Sequence, residues 1–386
     1  MRLIPFARSF ALPFVASLVL NPTEPAAAQE SVDPPYVVVP APAEDAGLFA
    51  MLDGQDQGIW LDGDVLWLAT VHPDGPWRVI GGVSEPLTQL KDSDVWAVGL
   101  QWNRWPETFM RVAFLGDSPK QSPLEYHPWR GAQAPAPPAE AEPDNVVSFT
   151  LAGPTSEQQR TVTVVLPPGH EDAGLLPTIV LADGQSAEAW GKVIASLVLE
   201  GRARPVAIVG VHSGSYKGDR SKPYDPQLDT RAREYLQGYD EERFEAHLDW
   251  VIEDVLPEAA RRYPLSLDRE DLAVAGFSNG GAFAAAAALE RPHVFAMSLA
   301  LSVGVPPEIE GQEPDAPMPR FFFAAGELEQ NFLHHTRLTH DLVTAAGAEA
   351  TMTSYPAGHD RAMWLLAMAR YVPLMFPPEQ ATADTP

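Results

Sequence analysis

Apolar residues follow two different rhythms along this chain. Between residues 36 and 116 they form short runs, "IWLDGDVLWLATV", "PWRVIGGV", "DVWAVGLQW" and "TFMRVAFLG", rich in Val, Trp, Leu and Phe and punctuated by Gly, Asp and Pro. Side chains that suit a pleated surface, separated by residues that turn the backbone, predict closely spaced strands. Several such strands predict a small all-β sandwich. Its Trp96, Trp102 and Trp105 are expected mainly in the core, with contact to a bound molecule as the alternative. Then "QAPAPPAEAEPDN", Gln133 to Asn145, offers Pro, Ala and Glu with little to bury and predicts a semi-rigid linker.

Beyond the linker the rhythm changes. Two strands, "VVSFTL" and "RTVTVVL", come first. Continuous apolar runs then alternate with helical patterns: "PTIVLA" before "AEAWGKVIASLVLEG", "PVAIVGV" before a long loop and a helix from about Asp240 to Tyr263, "DLAVAGF" before an alanine-rich helix. "VFAMSLALSV", "RFFFAAG" and "AEATMTSYP" read as further strands, with helices from about Phe332 to Ala346 and through "AMWLLAMARYV". Strands buried on both faces read as unbroken apolar runs. Their alternation with helices predicts a doubly wound, mostly parallel α/β sheet. No internal repeat of fixed period is present.

Composition narrows the function. The 386 residues carry 26 basic and 52 acidic side chains, a formal net charge of −26. A phosphate backbone requires cationic partners, so nucleic acid is excluded as the expected ligand, and an anionic membrane surface with it. There is no cysteine, which removes disulfides, thiolate catalysis and Cys-ligated zinc. The N-terminus has the order of a secretory signal peptide: Arg2 and Arg8, the apolar run Phe10 to Leu20, then the small residues Ala26, Ala27 and Ala28. Cleavage after Ala28 is expected, giving a periplasmic or secreted protein with no membrane insertion afterwards.

The stretch "DLAVAGFSNGGAFAAAAALE" carries the chemistry. Gly276-Phe277-Ser278-Asn279-Gly280 matches G-x-S-x-G at a strand-to-helix junction, the context that lifts a serine hydroxyl above a sheet edge. Glycine two residues to either side avoids collision between the turn and its neighbours. A serine nucleophile needs a base, and the base needs an acid to orient it. His359, in the loop "YPAGHDRAMW", alone among the histidines has the right position. His334 and His335 fall on a helix and are expected at the surface, and His212 follows a strand where it either lines the cleft or is structural. The acid is Glu329 or Glu327 in "GELEQN", with Glu329 favoured by its distance from Gly326. The oxyanion hole needs two N–H donors, expected from Asn279 and from Gly184 or Gln185 in "LADGQSAEAW". No metal or organic cofactor is required.

Together these segments resemble the esterase-D-like branch of the α/β-hydrolases, and within it the two-domain ferric enterobactin (enterochelin) esterases. "TIVLADGQSAEAW" resembles the family's L-x-D-G turn, "GFSNGGAFAAAAALERPHVFAMSLALS" its elbow and helix, and "YPAGHDRAMW" its G-H-D-x-x-x-W terminus. "VIGGVSEPLTQLKDSDVWAVGLQW" resembles the Ig-like domain that precedes the hydrolase. The resemblance implies an α/β-hydrolase domain at 146–378 preceded by an Ig-like β-sandwich at 31–130; the signal peptide at 1–28, in which the chain departs from the family's cytoplasmic members, the linker at 131–145 and a flexible tail at 379–386 are expected from the residues themselves. It implies Ser278 as nucleophile, His359 as base and Glu329 as acid. "TRAREYL" resembles an Arg-x-x-Tyr stretch, so Arg231 or Arg233 is expected to line the cleft or brace its loop. The implied substrate is a small-molecule or glycan ester: a siderophore, or a feruloyl or acetyl ester of a polysaccharide. Acyl transfer and glycan or siderophore binding without turnover are the alternatives.

Overall fold

The computed structural model describes residues 33–39, 41, 51–52, 54–116, 125–155, 159–218, 225–308 and 317–378. The expected signal peptide with its cleavage site and the expected tail at 379–386 lie outside the described residues.

The N-terminal part is all-β. Strands β1 (Val37–Val39), β2 (Gln57–Asp62), β3 (Val65–Val71), β6 (Thr88–Gln89) and β7 (Val95–Gln101) form one antiparallel sheet. Strands β4 (Trp77–Gly81), β5 (Glu85–Pro86), β8 (Phe109–Gly116) and β9 (His127–Arg130) form the other. Leu66, Leu68 and Leu100 from the first sheet and Val79, Val112 and Phe114 from the second share one core. The run from Ile59 to Val71 is a hairpin, because Gly63 turns the chain with a φ of 62°. Trp102 and Trp105 meet edge to face at 5.2 Å inside this core, and Trp105 Nε1 donates to the Leu100 carbonyl. Contact with a bound molecule is thereby excluded for Trp105, which is fully buried.

The Pro/Ala/Glu segment is not a free spacer. Pro135, Pro138 and Ala139 lie over a groove floored by Val193, Leu197, Leu366 and Ala369. The Ala141 N–H donates to the Lys192 carbonyl at 2.9 Å, and Lys192 Nζ donates to Glu142 at 3.0 Å. Proline's fixed φ lets the segment stay extended at little entropic cost, and Ala134 packs against the core of the second part.

The second part holds an eight-stranded sheet. Its strands are β10 (Asn145–Ala152), β11 (Gln159–Leu166), β12 (Thr178–Ala182), β13 (Ala207–Val211), β14 (Leu272–Phe277), β15 (Met297–Leu301), β16 (Arg320–Gly326) and β17 (Ala350–Tyr355). The spatial order is β10-β11-β13-β12-β14-β15-β16-β17, antiparallel for the first three and parallel from there on. Strands β12 to β15 are buried at every position, as their unbroken apolar sequences require. Helices α1 (Ala187–Leu199) and α7 (Arg361–Met375) cover one face. The other face is covered by α2 (Thr230–Tyr235), α3 (Glu241–Trp250), α4 (Leu256–Arg262), α5 (Asn279–Glu290) and α6 (Gln330–Ala345). Helices α3 and α4 continue one another through a π turn at Val251–Val255, giving the single long helix expected from the sequence. This is the α/β-hydrolase architecture, preceded by an all-β domain. Among the described residues no helix is long and apolar enough to cross a membrane.

Candidate active site

Four consecutive strands in the parallel sheet end at one place. Ser278 follows β14, Ser302 follows β15, Glu329 follows β16 and His359 follows β17. Parallel order puts these loops side by side at the carboxyl edge, where doubly wound sheets form their crevice.

The first loop is a strained elbow. Ser278 has φ 59° and ψ −129°, a conformation that costs a non-glycine residue about 1–3 kcal/mol. Its N–H donates to the Leu301 carbonyl at 3.0 Å, and its carbonyl accepts from Gly281, Ala282 and Gly304. A Cβ on Gly276 would stand 2.1 Å from the Gly280 carbonyl oxygen, and one on Gly281 would stand 2.3 Å from the Leu301 carbonyl oxygen. Both close approaches involve backbone atoms that cannot give way, which is why glycines stand there. Asn279 begins α5, so its N–H has no intrahelical acceptor and is left for an external oxygen.

His359 and Glu329 form the second half. His359 Nδ1 and Glu329 Oε2 are 2.5 Å apart, and both side chains are nearly inaccessible. The other carboxylate oxygen of Glu329 accepts from the Ser302 hydroxyl at 2.6 Å and from the Gly326 N–H at 2.5 Å. Ser302 in turn accepts from Trp364 Nε1 at 2.8 Å. Two donors thus meet one carboxylate oxygen directly and Trp364 holds one of them, so the carboxylate is fixed in place opposite the imidazole. A proton held on Nδ1 by Glu329 leaves the lone pair on Nε2, which is buried and has no partner among the described residues. Phe332 stacks on the His359 ring at 4.1 Å, and Trp364 meets the same ring edge-on at 4.9 Å while stacking on Phe277 at 4.1 Å. Trp364 thus packs between the residue before Ser278 and the imidazole.

The two acid candidates are separated by their partners. Glu329 faces His359, whereas Glu327 pairs with Arg104 of the β-domain and accepts a long bond from Ser354. Gly184 and Gln185 open a 3-10 turn after β12, ahead of its first bonded N–H, that of Ser186. Asp183 precedes them in the left-handed region at φ 57°, with its side chain fully buried. Arg231 clasps the Asp183 carboxylate with two bonds of 2.7 Å and lies over the Tyr235 ring. Burial acts against the Arg231 charge, and the Asp183 carboxylate more than offsets it, so the guanidinium is held above its ordinary value. Tyr235 accepts from the Asp183 N–H at 3.0 Å, and burial pushes its hydroxyl well up. Arg231 therefore braces the turn that presents Gly184 and Gln185.

The remaining predicted residues are held by the protein itself. Arg233 bonds Asp240 and the Gln227 carbonyl. His212 Nε2 lies 2.9 Å from Thr163 Oγ1, and burial pushes its imidazole down. His334 and His335 are half-buried rather than exposed, and His335 Nδ1 lies 2.6 Å from the Gly304 carbonyl beside the elbow. The sequence reading missed Ser302, Asp183, Phe332 and Trp364 as site residues. Trp364 lay inside a quoted motif, while Ser302 looked like an ordinary strand end.

Residues 153–318 match the family described as "Putative esterase". No curated protein matches the chain in sequence. Among solved structures, an enterochelin esterase from Shigella flexneri aligns at 16% identity and a TM-score of 0.62, over 85% of this chain and 97% of that one. A ferric enterobactin esterase from Salmonella typhimurium aligns at 16% identity and a TM-score of 0.60, over 85% of this chain and 99% of that one. A ferulic acid esterase from Anaeromyces mucronatus covers less, 61% of this chain and 90% of that one, at 18% identity and a TM-score of 0.46. With the first two this chain shares its fold over most of its length.

Proposed function

We propose that this protein is a serine esterase that hydrolyses a carboxylic ester through an acyl-enzyme. The observation that carries the reading is the buried, unpartnered Nε2 of His359, backed by Glu329 and set among the strand ends beside the Ser278 elbow. Ser278 Oγ attacks the ester carbonyl while His359 Nε2 takes its proton. The negative oxygen that forms accepts from the Asn279 N–H and from that of Gly184 or Gln185. Collapse expels the alcohol, which takes the proton back from His359. Water, deprotonated by the same nitrogen, then attacks the acyl carbonyl, and Ser278 leaves with the proton. Glu329 keeps the Nδ1 proton in place and stabilises the imidazolium in both halves.

The two relatives are named as an enterochelin esterase and a ferric enterobactin esterase, and each aligns over 85% of this chain. The net charge of −26 favours a neutral ester over an anionic ferric complex, so feruloyl and acetyl esters of glycans are the second reading. The basic, apolar, small-residue order of residues 2–28 supports export to the periplasm or beyond. The test is hydrolysis of p-nitrophenyl butyrate, with the labelled residue mapped after a fluorophosphonate probe. Turnover and labelling at Ser278, both lost in Ser278→Ala, are expected. Turnover that persists in that variant, or none on a panel of enterobactin, feruloyl and acetyl esters, overturns the proposal. N-terminal sequencing of the exported protein checks cleavage after Ala28.

A further inference from the structure

The N-terminal β-domain touches the catalytic domain at the two loops that carry the acid and the base. Those loops are bonded to each other: the Glu327 N–H donates to the Tyr355 carbonyl at 2.8 Å, and the Leu328 N–H to the Ala357 carbonyl at 3.0 Å. On its far side the base loop meets β8, where the Phe109 N–H donates to the Pro356 carbonyl at 3.3 Å and Phe109 bridges Ala357 in parallel register. The base loop is thus a strand-like layer between the acid loop and the β-domain. A Cβ on Gly358, immediately before His359, would stand 2.3 Å from Gly82 Cα. Nothing but two bare backbones fits there.

Two arginines of the β-domain complete the contact. Arg111 Nε donates to Asp360 Oδ2 at 2.8 Å, while Asp360 Oδ1 caps α7 by accepting from the Ala362 N–H at 2.8 Å. Asp360 is the residue after His359, and its side chain is nearly inaccessible. Arg104 pairs with Glu327, two residues before Glu329, and is itself held by Glu107. Leu328, between those two glutamates, is buried in the β-domain's own core. Every residue flanking the acid–base pair on this side is therefore held from the other domain.

We propose that the β-domain is a positioning component of the active site: Arg111 through Asp360, and Arg104 through Glu327, keep His359 and Glu329 at hydrogen-bonding distance. This rests on the esterase reading for its kinetic consequence but not for its structural one. Neither arginine touches substrate. Their effect falls on kcat, because a base displaced by about 1 Å costs on the order of 100-fold in rate while substrate binding is untouched.

The test uses the full chain with Arg111→Met, the double variant Arg104→Met/Arg111→Met, the conservative Arg111→Lys, and, as a control, Arg78→Met on β4, whose guanidinium bonds Ser84 within the β-domain. Two readouts are taken: kcat and KM on p-nitrophenyl acetate, and the low-field proton NMR signal of the His359 Nδ1–H. Folded fraction is followed by circular dichroism. In the double variant kcat is expected to fall by about 10- to 100-fold with KM within about twofold, the His359 signal to broaden, and Arg111→Lys to recover most of the loss. An unchanged kcat with an unchanged signal overturns the proposal, as does a loss that only tracks a lost folded fraction. A parent chain without turnover defeats the esterase reading, and the NMR signal then decides this inference alone. A parent chain without that signal overturns it outright.

Discussion

Replacing Ser302 by alanine tests the support behind the acid most directly. Its hydroxyl donates to Glu329 at 2.6 Å and accepts from Trp364 Nε1 at 2.8 Å, and the residue is fully buried. A hydrogen bond to a charged group is worth about 1.5–3 kcal/mol, and a buried donor left unpaired costs about 1–3 kcal/mol. The sum for Ser302→Ala is roughly 2.5–6 kcal/mol of lost stability. The backbone provides an internal control. Ser302 sits at φ 47°, where a side chain costs about 1 kcal/mol or more that glycine does not incur. Ser302→Gly loses the same two bonds but relieves that strain, so it is expected to be milder than Ser302→Ala by about 1 kcal/mol. Urea unfolding measures both as shifts in midpoint at constant slope. In the same samples kcat is expected to fall while KM holds, because Glu329 keeps only the Gly326 N–H and His359 as partners. A loss below about 1 kcal/mol, or a glycine variant less stable than the alanine one, refutes the reasoning.

Four further outcomes follow from the geometry. Glu329→Gln is expected to lower kcat by about 100- to 10,000-fold, since an amide no longer holds the Nδ1 tautomer, and Glu327→Gln to cost far less; steady-state kinetics that rank them the other way would move the acid to Glu327. Gly276→Ala drives a methyl into the Gly280 carbonyl and is expected to cost about 3 kcal/mol or more, measured by thermal unfolding. Asp183→Asn strips a carboxylate from the buried Arg231 and is expected to cost about 3–5 kcal/mol, with kcat reduced through the Gly184–Gln185 turn; chemical denaturation beside kinetics reads both. His247 is buried and pushed down to about 3, so the folded state stays neutral where the unfolded chain is protonated. Its contribution is complete above about pH 6.5 and is lost at about 1.4 kcal/mol per unit as pH falls toward 3; His247→Phe is expected to flatten that part of the stability profile.

The sheet was legible because burial on both faces writes itself as unbroken apolar runs, as in "PTIVLA" and "DLAVAGF", and the elbow because its glycines answer a local steric demand. Strands β1, β5, β6 and β9 were not legible: each is four residues or shorter and exists through distant pairing. Distance from Gly326 favours Glu329 over Glu327 on the one loop but leaves both open, since the deciding contacts are Arg104 on one side and His359 on the other. Ser302 left no trace, because its role comes from a neighbouring strand end and a helix that begins about sixty residues later. The segment from Gln133 to Asn145 reads as a spacer by composition, yet its prolines lie on the catalytic domain.

The burial of Leu328 in the β-domain core bears on how the chain is made. A domain emerging first from the ribosome ordinarily folds as a unit before the rest arrives. Here the β-domain core includes a leucine more than two hundred residues downstream of Leu100, a contact whose loop-closure entropy is met only late. Synthesis from one end therefore delivers a β-domain whose core still lacks Leu328, which the loop after β16 supplies later.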